Sequence, residues 1–241
     1  MADINDLKSD YHPKYSFIPL PKTTAKPLYQ WSNFFKKPNE IKLNLDSLNF
    51  EKNRFDIVLD AGHGGSVPGA IGIYKGKTVR ECDVNRPITE KVAEKLKKDG
   101  YKVKVLLNKD ETVNPQDRRD AKEKINPRIF ASIHTNCFPK GKGIELIFGN
   151  NNTEVLQKNL TEAYKDKGFF MRWVHQDTAM WVLKGKVPSV IIETGFINNK
   201  KELKKLLSEK GQDEQAQIIS GALEKTLTQM KKKNKKSQSN P

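Results

Sequence analysis

At 241 residues the chain is long enough for one domain with a full hydrophobic core and too short for two large ones, so one active site is expected. It carries 44 Lys and Arg against 29 Asp and Glu, and the formal net charge of +15 favours polyanions such as nucleic acid, anionic lipid headgroups or acidic wall polymers without choosing among them. Two cysteines, Cys82 and Cys137, are too few for a disulfide framework and form no CxxC pair, no run approaches transmembrane length, and the opening MADINDLKSDYHPK lacks the basic and apolar regions of a secretory signal.

Residues 1–53 hold Pro13, Pro19, Pro21, Pro27 and Pro38 among Tyr11, Tyr15, Phe17, Tyr29, Trp31, Phe34 and Phe35, which predicts an extended arm rather than helices. Its aromatics are too many for a solvated linker, and they either pack against the chain's own domain or stack on sugar rings. From residue 54 the texture changes. FDIVLDAGHGG reads as a buried strand running into a glycine-rich loop, and Ile88, Val92 and Leu96 mark an amphipathic helix over 85–99 with Pro87 in its first turn. YKVKVLL alternates as a strand, a helix follows from about Pro115 to Ile125, and IFASIH is a second buried strand. GIELIF adds a strand, 153–167 a helix, VPSVIIET the last apolar strand, and helices near 200–208 and 213–230 close the domain before a basic, low-complexity tail over 231–241. The stretch with Trp173, His175 and Trp181 reads as a loop. Alternation of this kind predicts an α/β fold, a mostly parallel, mixed and twisted sheet with helices on both faces.

In such sheets reactive groups gather outside the carboxyl ends of the strands. His63 follows IVLDA, His134 closes IFASIH, Glu193 ends PSVIIE, and Glu81 comes from the loop leading into the first helix. Two imidazoles and one carboxylate make a three-ligand zinc set that leaves a position for water, and the remaining carboxylate can serve as the base. The gaps between these residues match no short metal pattern such as HExxH, so spacing alone does not identify zinc.

The segments IVLDAGHGGSVPGAIG, VRECDVN, FASIHTNCF, GIELIF and VPSVIIETGFINN, in this order, resemble the type 3 zinc amidases that cleave N-acetylmuramoyl-L-alanine, over about residues 55–228. The resemblance implies zinc as cofactor, held by His63, Glu81 and His134, with Glu193 as the catalytic glutamate. It places the family's helical arginine on Arg118, with Arg119 the competing choice. Glu145, on the strand GIELIF, is read apart from the resemblance as a residue that orients a ligand or substrate, or else as a strand residue bonded to a neighbouring helix. The implied domain spans 54–230 and hydrolyses the amide between N-acetylmuramic acid and L-alanine in peptidoglycan. The implied setting is the cell envelope, periplasmic or secreted, with endolysin-like release as another route, and the implied substrate is the muropeptide stems of peptidoglycan; the positive charge adds anionic wall polymers as partners, and a monomer is expected. The sequence departs from the family where Val67 follows GHGG in place of an acidic residue, where VLLNKD lacks the TR pair, and where Arg128 precedes IFASIH and is expected to add positive charge near the chemistry. No long helical insert separates His134 from Glu193, so a constitutively open cleft is expected. The alternative is a non-catalytic, peptidoglycan-binding or regulatory module on the same fold. The lysine run from Lys231 to Lys236 comes with no stacking motif or recognition helix, so no specific nucleic-acid binding is expected.

Overall fold

The structure is a computed structural model that describes residues 54–238 apart from 108, 150 and 151, so the proline-rich segment 1–53 and its two readings lie outside the described residues. In chain order the elements are β1 (Ile57–Ala61), β2 (Ile71–Tyr74), β3 (Lys77–Arg80), α1 (Glu81–Lys98), β4 (Val103–Val105), α2 (Pro115–Ile125), β5 (Ile129–Asn136), β6 (Ile144–Phe148), α3 (Glu154–Asp166), β7 (Met171–Gln176), β8 (Ser189–Phe196), α4 (Lys200–Leu206) and α5 (Glu209–Gln238). Six strands form one sheet in the order β4-β1-β5-β8-β6-β7. β4, β1, β5 and β8 run parallel, β6 runs antiparallel to β8, and β7 follows β6. The mixed, mostly parallel α/β sheet expected from the sequence is therefore the architecture. One edge of it collects the carboxyl ends of β1, β5 and β8 and, because β6 is reversed, the amino ends of β6 and β7.

Alternation along the strands builds the two faces. Ile57, Leu59, Ile129, Ala131, Ile133, Val190 and Ile192 pack with α1, α3 and α5, whereas Val58, Phe130 and Ile191 pack with Ala121 and Ile125 of α2 and with Val182 and Leu183 of a 3-10 turn. Strands buried on both sides lose their polar alternation, which is why IVLDA and SVIIE read as continuous apolar runs. No helix among the described residues is long and apolar enough to cross a membrane.

Four elements differ from expectation. The β2–β3 hairpin, closed by Lys75 and Gly76 at positive φ, was not foreseen, because its side chains are largely solvent-facing and carry no buried pattern. α1 begins at Glu81 rather than near 85, so Glu81 is a helix residue and Pro87 sits inside the helix, where it removes one backbone donor. The segment with Trp173 and His175 is strand β7 at the sheet edge and not a loop, although Trp181 does lie in the 3-10 turn. The final helix starts at Glu209 and its backbone stays helical to Gln238, through lysines expected to trail off.

A candidate metal centre beside a buried carboxylate

Three donors from separate segments converge at the carboxyl edge. His63 lies in the loop after β1, Glu81 opens α1 and His134 sits near the end of β5; one ligand atom from each lies within 4.8 Å of the others. His63 Nε2 is 3.3 Å from Glu81 Oε2, His134 Nδ1 is 2.9 Å from Glu81 Oε1, and the two imidazoles stand edge to face with centroids 5.1 Å apart. Two glycines make room. A Cβ on Gly62 would lie 2.2 Å from the His134 ring, and one on Gly69 would lie 2.5 Å from Glu81 Oε2, at a φ of 75° that also disfavours other residues. His63 itself holds a left-handed φ of 64°, a strain tolerated only where the surroundings fix the backbone.

Those surroundings are polar and buried. Glu81 Oε2 accepts from the Ala70 amide at 2.9 Å, and Oε1 accepts from Asn85 Nδ2 and the Thr135 amide, each at 3.2 Å. Arg118 donates from Nη2 to the His63 carbonyl at 3.0 Å, and from Nη1 to the Ala61 carbonyl at 2.8 Å and to Asp60 at 2.5 Å. Asp60 in turn accepts from Ser132 Oγ at 2.8 Å, and Ser132 lies 3.1 Å from His134 Nε2. Outer partners of this kind fix ring orientation and ligand basicity. Burial works to raise the Glu81 carboxyl, but the His134 hydrogen bond and the two imidazoles overcome it and hold it at about 2. Burial works to lower His134, yet its bond to Glu81 lifts it to about 8, and burial takes His63 below its ordinary value.

Glu193 stands directly opposite His134 in the β5–β8 ladder. Burial raises its carboxyl to about 7, against a smaller opposing pull from His134, and its Oε2 is a buried oxygen with no hydrogen-bond partner among the described residues. A carboxyl poised near neutrality beside three groups able to hold a metal is a candidate functional arrangement, since folding gains nothing from leaving that oxygen unpaired.

The family described as N-acetylmuramoyl-L-alanine amidase matches residues 57–225. The chain belongs to this family of peptidoglycan-hydrolysing amidases. Among its relatives, YqiI of Bacillus subtilis (strain 168) is 31% identical over 173 residues, covering 68% of this chain and 80% of that protein. The probable cell wall amidase LytH of Staphylococcus aureus is 30% identical over 146 residues, which are 59% of this chain but only 48% of LytH, so the match spans about half that protein's length. The solved CwlD amidase from Clostridioides difficile, in complex with the GerS lipoprotein, superposes with a TM-score of 0.66 at 30% identity, covering 72% of this chain and 98% of that one.

Within the amidase, the remaining candidates separate cleanly. Arg118 is buried, with Nε on the Val113 carbonyl and both other nitrogens engaged, so it braces the His63 loop; Arg119 is at the surface, paired with Asp120 and lying over Trp181. Glu145 is buried beside Glu193 on β6, bonded to Asn136 and paired with Arg172. Arg128 is not near the chemistry. It precedes β5, some six residues from His134 and so about 20 Å along the strand, and it pairs with Asp56. Cys82 is buried and Cys137 exposed, and neither joins the donor group. Asp60, Ser132, Asn85 and Thr135 escaped the sequence reading because each is an ordinary polar residue whose role appears only once its neighbours are in place.

Proposed function

We propose that this member of the family is a zinc-dependent N-acetylmuramoyl-L-alanine amidase of the cell envelope, in which His63, Glu81 and His134 hold the ion and Glu193 moves the proton. The observation that carries this is the convergence of two imidazoles and one ionised carboxylate, with the buried Glu193 carboxyl one strand away in the same register, its Oε2 without a hydrogen-bond partner among the described residues. The donor set suits zinc: nitrogen and oxygen donors, three in number, and no thiolate. Zinc bound there supplies a Lewis acid that polarises the scissile carbonyl and makes a water molecule acidic enough to attack near neutral pH. Glu193, ionised in a good fraction of molecules at pH 7, takes the proton from the attacking water as its oxygen bonds the carbonyl carbon. It returns that proton to the leaving nitrogen as the C–N bond breaks, so lactyl carboxylate and free L-alanine amine are the products. Arg118 keeps the His63 backbone in its strained conformation, and Ser132 with Asp60 fixes the His134 ring. The His63 side chain is 31% exposed, in keeping with a cleft that needs no partner to open it.

Mass spectrometry of purified sacculi digested with the zinc-loaded protein tests the reading. Stem peptides with free L-alanine amino termini should appear with the wild-type chain, vanish with chelator, and vanish with Glu193→Gln while that variant still holds zinc. Untouched sacculi with the loaded wild-type protein would favour the binding-module alternative, and full activity of Glu193→Gln would remove the residue from the reaction.

A further inference from the structure

The register of the sheet carries the site beyond its chemistry. His134, Glu193, Glu145 and Trp173 stand opposite one another on β5, β8, β6 and β7, a single row across four neighbouring strands. Cross-strand partners project from one face, so the row is a floor leading from the metal donors to the sheet edge. At that edge the pairing is irregular. Ile144 pairs with Met171 but Glu145 pairs with Trp173, which leaves Arg172 bulged between them. A bulge re-aims a side chain, and here the Arg172 guanidinium turns onto Glu145.

What surrounds Arg172 is a built environment. Glu145 is 3% exposed, and its other oxygen accepts from Asn136 Nδ2 at 2.6 Å, so the anchor for the guanidinium is itself fixed. The Arg172 Cζ lies 4.7 Å from the Phe138 ring centre, 5.4 Å from that of Phe196 and 5.8 Å from that of Trp173, and Phe138 and Trp173 are both more than two-fifths exposed. Among the described residues Nη1 meets Glu145 while Nε and Nη2 make no hydrogen bond, and the side chain is 28% open to solvent. A guanidinium has five donors in a rigid fork, so one carboxylate does not exhaust it. Aromatic walls lower the local dielectric and strengthen whatever anion the remaining donors meet.

The direction of the substrate follows from the reaction. A group that protonates the leaving nitrogen must lie beside it, so the departing stem peptide lies on the Glu193 side, over β6 and β7. Neighbouring strands are about 4.8 Å apart and an extended peptide advances about 3.3 Å per residue, so a side chain reaching from β7 back to β6 meets the second residue of the stem.

We propose that Arg172, held by Glu145 and walled by Phe138 and Trp173, is a specificity-determining subsite that recognises a carboxylate on the second residue of the stem peptide. This rests on the amidase reading, because the direction of the stem is taken from the role of Glu193. The test uses the zinc-loaded full chain and two muramoyl tripeptides that differ only in whether the second residue bears a free carboxylate or a carboxamide. The corresponding free tripeptides are titrated by calorimetry in parallel. The wild-type protein is expected to favour the carboxylate by about 10- to 100-fold, both in kcat/KM, mainly through KM, and in peptide affinity. Arg172→Gln should bring both ratios toward one. Because that variant leaves the buried Glu145 charge without its counter-ion, Glu145→Gln/Arg172→Gln, which removes both charges together, should do the same. A wild-type ratio near one, or a preference that survives in the double variant, overturns the subsite. Discrimination between the free tripeptides without turnover of either substrate would support the subsite and count against the amidase reading instead.

Discussion

At the scale of single residues, the site is a problem in proton bookkeeping. At pH 7 the metal-free protein carries a proton on His134, held at about 8, while Glu81 near 2 is ionised and His63, below its ordinary value, is mostly neutral. On the proposed assignment of His134 as a ligand, an ion would displace its proton and so compete with protons below pH 8 and not above. Zinc affinity should therefore rise about tenfold per pH unit from 6 to 8 and then flatten; chelator competition across pH 6–9 measures it, and a flat profile from 6 to 8 contradicts this charge assignment. Gly62 is the steric counterpart. A methyl there meets the His134 ring at 2.2 Å, so Gly62→Ala should lower zinc affinity by about 10- to 100-fold, as loss of a supporting partner does. Unchanged affinity in the same competition assay would mean that the ring has room to move. His63, His134 and Glu193 were legible in the sequence because each ends or follows an apolar run. Glu145 was visible only as a candidate, and Arg172 was silent, since a bulge in an edge strand leaves no periodicity to read.

Among the elements, α2 does more for the site than its surface position suggests. Asn114 caps it by accepting from the Asp117 amide at 2.8 Å, Pro115 starts it, and Arg118 in its first turn reaches under the His63 loop to Asp60. Both charges of that pair are buried, so removing one leaves the other without compensation. Arg118→Met should cost about 3–5 kcal/mol in urea unfolding of the metal-free protein, and a loss below about 1 kcal/mol would show that water reaches Asp60. The elements themselves were legible to differing degrees for one reason. β1, β5 and β8 are buried on both faces and announce themselves as apolar runs, and α3 shows its stripe of Leu156 and Leu160. The β2–β3 hairpin and β7 bury little, and α1 opens with the polar ECDVN, where an acidic residue suits the positive end of a helix but resembles a loop. The consequence was functional: Glu81 read as a loop residue, whereas its place at the start of α1 is what fixes its carboxylate between two histidines.

For the molecule as a whole, charge and access govern behaviour on a solid substrate. With a net charge of +15 the protein should be drawn to sacculi carrying anionic polymers. Raising salt from about 0.05 to about 0.5 M shortens electrostatic reach well below 10 Å, so the rate on intact sacculi should fall several-fold while the rate on a small uncharged muropeptide changes little; parallel rate curves would locate the charge away from substrate capture. α3, the helix between His134 and Glu193 in the chain, packs with α1 and α5 on the face away from α2. On the proposed open cleft the chain should cleave sacculi unaided, and a strict requirement for an added protein would contradict that proposal. X-ray absorption on the zinc-loaded chain reaches the central claim most directly. One zinc per chain is expected, with two imidazole nitrogens and a carboxylate oxygen at about 2.0–2.2 Å, and lost in His63→Ala/His134→Ala. A sulfur ligand at about 2.3 Å, or full zinc content in that double variant, would contradict it.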